Sequence, residues 1–171
     1  MARSIWGLTG IAWAAASLLD TAGAQYWNPI TLIDYLAVSL YSAAWILTAP
    51  AVLLMAAESS GRAPRILAMI FAVAAIAVGA ANALEDAFGL RDLGTFYVAG
   101  FLGALLTLIA VTVALLRAQP RRLAGVTAAL LVGSAFVTSG GGLIVFAAMA
   151  ALALAPARFG VDSIPKPQSA R

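Results

Sequence analysis

Four polar side chains in a very apolar chain are the first candidates for chemistry. They are Asp20, closing "AASLLD", and Asn82, Glu85 and Asp86 in "AANALED". A carboxylate within a membrane segment commonly marks a proton or ion pathway, so these four define a candidate cation or proton site. The spacing supports a shared location. Asn82 precedes Glu85 by three residues and Asp86 by four, which on a helix puts the amide on one face with one acid or the other. Ser17 precedes Asp20 by three in the same way, a weak echo that hints at a duplicated hairpin.

The helix dipole sharpens the question. Asp34 and Asp92 fall near expected helix N-termini, where a negative charge is favoured. Asp20, Glu85 and Asp86 fall in expected last turns, where the dipole end is itself negative and a carboxylate needs compensation. Arg91, a bound cation or a proton could supply it. The plainer reading, and the preferred one, is that these acids are hydrated at the headgroup boundary with Arg91 nearby.

The elements that must hold these residues are membrane helices. The chain is 63% hydrophobic and only 10% charged, whereas soluble domains run near ~50% and ~25%. Its 171 residues suffice for a handful of spans of about 20 residues each. The fold class is therefore all-α, a polytopic membrane helix bundle of six transmembrane helices, the last two short and joined at a glycine-rich turn. Five helices is the alternative.

The expected spans are 5–24, 30–57, 64–88, 94–116, 123–139 and 142–156, forming one domain over 1–157, with 158–171 a disordered cytoplasmic tail. Residues 5–24 also resemble a cleavable leader, with "AGA" before Gln25, but Trp, Thr and Gly interrupt the run and favour a retained helix. Helix two should start with Asn28 as its cap and Pro29 in its first position. Pro50 lies inside it and predicts a kink, because it has no N–H to donate and clashes with the preceding turn. Gly89 should end helix three, and Asp92 should cap helix four. "TSGGG", Thr138 to Gly142, makes one straight helix over the last apolar stretch improbable.

Orientation follows from the basic residues. All ten Lys and Arg except Arg91 lie at Arg3, in 58–65, in 117–122 or in the tail. An even number of crossings puts these on the cytoplasmic side together with both termini, and leaves Asp20, Asp34, Glu85, Asp86 and Asp92 near the outer face. Trp6, Tyr26 and Trp27 then fall at interface depth.

Several classes are excluded or weakened. The chain has no Cys and no His, which removes thiolate and imidazole ligation, so no metal or cofactor is expected. Its basic residues form no stripe, and nucleic acid is not a partner. "TSGGG" lacks the strand and Lys of a phosphate loop. Ala75, Gly79 and Ala83, and Gly125, Ala129 and Gly133, give small residues every fourth position, suited to helix packing or dimerisation. Tyr35, Tyr41 and Trp45 are read as packing or interface residues in preference to a lipid groove.

No catalytic constellation is visible, so the chain is not read as an enzyme, and a lipid-modifying activity is the least supported reading. The Arg-rich, Ala-rich composition suggests a bacterial source. The favoured function is an accessory component of the cytoplasmic membrane, in contact with the lipid bilayer and with another membrane protein or a second copy. The alternative is a small proton- or cation-coupled transporter using Asp20, Asn82, Glu85 and Asp86.

Overall fold

The computed structural model describes residues 2–26, 29–90, 93–118 and 121–155. The capping expected of Asn28 and Asp92, the compensation by Arg91, the interface role of Trp27 and the disorder of the tail lie outside them. Among the described residues the chain is all-helical. Six α-helices run α1 (Ala2–Thr21), α2 (Leu32–Ala57), α3 (Arg62–Asn82), α4 (Gly94–Arg117), α5 (Arg121–Ala135) and α6 (Gly141–Leu154). Three segments are long and apolar enough to cross a membrane: Leu32–Ala57, Arg62–Asp86 and Gly94–Arg117. At 1.5 Å per residue α5 and α6 reach only about 22 Å each, short of a hydrocarbon core of about 30 Å.

Each helix packs on its neighbours in the chain, and α6 returns to pack on α1, closing the bundle. Neighbouring helices alternate in direction. Thr9 of α1 bonds the Leu47 carbonyl of α2, and Asn82 near the end of α3 meets Ser42 early in α2. Gly10 approaches Met149, while Gly142 approaches Trp13 and Ser17. An alternating ring can close on itself only with an even number of members. One end of the bundle therefore gathers Arg3, which donates to the Ala155 carbonyl, and Arg122, paired with Glu58 at 2.8 Å. The other end carries Asp20, Asp34, Glu85 and Asp86.

Helix two begins later than Asn28 and Pro29 suggest. Thr31 is its cap: the hydroxyl accepts from the Asp34 N–H, and the Asp34 carboxylate accepts from the Thr31 N–H, a reciprocal capping box. The Asp34 carboxylate also accepts from Gln25 N (2.8 Å), Ile30 N (3.1 Å) and the Thr31 hydroxyl (2.8 Å). It thus pins the α1–α2 connection at both ends. Pro29 precedes the helix and does not enter it.

Pro50 sits within α2 without ending it. Pro50 has no N–H to give the Ile46 carbonyl, yet the helix continues past it to Ala57. Helix three closes through a π-helical turn over Ala83–Ala87, and Gly89 follows at φ 69°. The left-handed terminator expected at Gly89 is present, and its successor Leu90 donates back to the Leu84 carbonyl at 2.9 Å.

The "TSGGG" break is real but displaced. A 3₁₀ turn spans Val137–Ser139, Gly140 takes φ 82°, and Gly141 and Gly142 already belong to α6. Trp6 and Tyr26 are both buried, so the two rings expected at an interface turn into the protein.

Candidate functional site

Helix alternation brings three tyrosines from different segments to the acidic end of the bundle. Tyr26 lies in the α1–α2 connection, Tyr41 on α2 and Tyr97 on the first turn of α4. Tyr26 packs edge-on against Tyr41, with ring centroids 5.5 Å apart and planes at 64°. The Tyr41 and Tyr97 hydroxyls are 3.1 Å apart. Asp20 lies close enough to act electrostatically on Tyr26, and Asp86 close enough to act on Tyr97. The arrangement is a line of phenols with one carboxylate near each end.

Below it the interior is filled by rings. Trp13 meets Tyr41 at 5.8 Å and Trp45 at 5.4 Å, and Trp45 meets Phe101 at 5.8 Å, all edge-to-face. Tyr97 stacks on Phe101 at 6.1 Å. Such pairs are favoured by the ring quadrupole, and they join α1, α2 and α4 across the bundle. The Trp13 N–H donates to Thr48 Oγ1 at 2.9 Å, and that hydroxyl donates to the Ala44 carbonyl at 2.6 Å. The Trp45 N–H lies near the Tyr41 phenol but outside hydrogen-bond geometry.

The four candidate residues have different settings. Asn82 is buried and donates its amide to Ser42 Oγ at 2.9 Å. Its amide N–H is thereby engaged with α2. The π turn over Ala83–Ala87 begins directly after Asn82, so the spacing from Asn82 to Glu85 and Asp86 is not that of a regular α-helix.

Glu85 answers the dipole question in an unforeseen way. Its carboxylate oxygens lie 3.5 and 3.7 Å from where a Cβ on Gly94 would sit, over the first turn of α4. The carboxylate thus lies near the start of α4, the end of a helix that favours a negative charge. The Leu93 cap of α4 supplies no side-chain bond, so this end is open to it.

Asp86 is half-buried beside Tyr97. Asp20 is half-buried at the end of α1, on the Tyr26 side. Among the described residues no three acids gather into a set that could hold a metal ion. The tyrosines stand between Asp20 and Asp86.

The phenol line is not continuous as a hydrogen-bonded path. The Tyr26 hydroxyl donates to the Ala16 carbonyl, so toward Tyr41 it offers a ring edge. Burial pushes the Tyr26 phenol above its ordinary range, and the neighbouring Asp20 and Tyr41 push the same way. A phenol so held stays protonated and serves as a fixed donor.

The residues missed from sequence are Thr31, Tyr26 and Tyr97. "TLID" carries the capping-box pattern and could have identified Thr31. Tyr26 and Tyr97 carry no local signal, because what unites them with Tyr41 is the bundle. No family model, curated protein or solved structure matches this chain.

Proposed function

We propose that this is a small multi-pass component of a bacterial cytoplasmic membrane, crossing six times with both termini inside, whose role is accessory: it packs against, assembles or regulates another membrane component. One observation carries the reading. Several polar groups in the interior are engaged in ties between helices, as in Asn82 to Ser42, Trp13 to Thr48, Ser17 to the Val137 carbonyl at 2.9 Å and Thr112 to Thr127 at 2.9 Å. A carrier needs polar groups that can exchange partners with its cargo. Here rings and fixed hydrogen bonds hold one arrangement.

The basic residues support the orientation. Arg3, Arg62, Arg65, Arg117, Arg121 and Arg122 fall at one end of the alternating helices, as expected of a cytoplasmic face. Reporter fusions at Gly61, at Gln119 and after Arg171 should read inside. A cysteine at Ser139, exposed in the turn before α6, should react with an impermeant reagent from outside. Protection there, with the tail still inside, would make α5–α6 a re-entrant pair.

A second reading is favoured by the Tyr41–Tyr97 contact and the acids beside Tyr26 and Tyr97: a proton-coupled carrier in which Asp86 and Asp20 load and release. Flux separates the two. Purified protein in liposomes carrying an internal pH dye should pass protons no faster than empty vesicles. A gradient-driven flux abolished by Tyr97→Phe would replace the accessory role with the carrier.

A further inference from the structure

At the basic end of the bundle, the start of α3 and the end of α4 enclose an open groove of about 630 Å³. Two guanidinium-bearing residues line it from different helices: Arg62, the first residue of α3, and Arg117, in the last turn of α4. Pro64, Leu67, Val113 and Ala114 form apolar walls. Among the described residues the one ion pair is Arg122 with Glu58, so neither groove arginine is neutralised by a carboxylate. Gly61 caps α3 without a side-chain bond, which leaves the Arg62 and Ala63 N–H groups at the same place, the Gly61 N–H donating to Ser59 Oγ.

The surroundings indicate what fills it. The groove lies between two helices long and apolar enough to span, and α4 is the less enclosed of the pair, with only 22% of its apolar window buried. Ile66, Met69 and Val73 on α3, and Leu106, Val113 and Leu116 on α4, expose their side chains along the adjoining faces. A free phosphate would use the charge and leave that apolar surface unused. A phospholipid uses both.

We propose that this groove binds an anionic phospholipid, with the headgroup phosphate between Arg62 and Arg117 and the acyl chains along the outer faces of α3 and α4. Two guanidiniums can fork onto one phosphate with charge-assisted hydrogen bonds. A basic pocket between membrane helices is a recurrent setting for such headgroups. The inference rests on membrane residence and is independent of the accessory or carrier role.

The test uses the full chain purified in a mild non-ionic detergent, read by thermal shift and native mass spectrometry. Phosphatidylglycerol should bind and raise the melting temperature. Phosphatidylcholine with the same chains and soluble glycerol 3-phosphate should do neither. Arg62→Gln with Arg117→Gln should weaken phosphatidylglycerol binding at least roughly tenfold, while Arg3→Gln, away from the groove, should leave it unchanged. Leu67→Trp keeps both charges and fills the wall, so it should also block binding, and it serves as the readout if the double variant does not fold. Unchanged lipid binding in the double variant, or in Leu67→Trp where that is the readout, would overturn the proposal. So would glycerol 3-phosphate binding as well as the lipid.

Discussion

The two sides of α1 hold their neighbours by opposite means. Toward α2, with α4 behind it, contact is made by large rings: Trp13 and Trp45 are essentially inaccessible, and their edges interlock with Tyr41 and Phe101. Toward α6 contact is made by the absence of side chains. A Cβ on Gly142 would run into the Trp13 carbonyl oxygen and Ser17 Cβ, and one on Gly10 would lie 3.0 Å from Met149 Cβ and 3.3 Å from Phe146 Cα. Lipid tails are as apolar as leucine, so neither interface is driven by water exclusion, and both rely on close packing. The ring seam can adjust by rotamer, whereas the glycine seam is backbone against backbone and has nothing that can move aside.

That difference ranks the expected effects. Gly142→Leu should be the most damaging, because α6 can no longer seat on α1 and the short α5–α6 pair keeps only its packing on α4. Little protein that folds should accumulate, and any recovered should melt far below wild type. Trp13→Ala removes the centre of the ring seam and should cost roughly 3–5 kcal/mol, measured by denaturant titration in detergent. If Trp13→Ala proved worse than Gly142→Leu, the ring seam and not the glycine seam would be the rigid one. Tyr97→Phe keeps the stacking on Phe101 and loses the contact with the Tyr41 hydroxyl, so about 1 kcal/mol is expected. Gly125→Ala is the control: a Cβ there meets nothing within 4 Å, so the change should be neutral or stabilise by up to about 1 kcal/mol through helix propensity.

Much of this architecture was legible. Apolar runs of the right length, the glycine-rich break and Gly89 located the helices and their ends, because composition and local backbone preference are written in consecutive residues. Gly79 and Gly133 of the small-residue patterns do serve close approach, Gly79 against Ser42 and Ile46 of α2 and Gly133 against α6. Gly125, in the same pattern, does not. Spacing alone cannot say which small residue faces a neighbour.

The candidate site was half legible. Its acids were chosen for being out of place, and Glu85 lies beside the start of α4. That neighbour was not anticipated, since it depends on how far the chain turns back after Gly89. Asn82 was grouped with the acids on helical register, and its amide N–H is engaged with Ser42 of α2. The tyrosine line could not be read at all, because Tyr26, Tyr41 and Tyr97 meet only once the helices are side by side.

The account depends most on α6 returning to α1, since that closure encloses the Trp13–Trp45 interior and makes the number of helices even. The chain contains no cysteine, so one introduced pair reports without background. A Cβ on Gly10 would lie 3.0 Å from Met149 Cβ, a few tenths of an ångström inside the usual disulfide spacing of about 3.5–4.5 Å. Gly10→Cys with Met149→Cys, oxidised in native membranes, should form an intramolecular disulfide that shifts mobility on a denaturing gel and reverses with reductant. Gly7→Cys with Met149→Cys should not, because Gly7 faces open space. Failure of the first pair to cross-link, or equal cross-linking of both, would contradict the closed bundle.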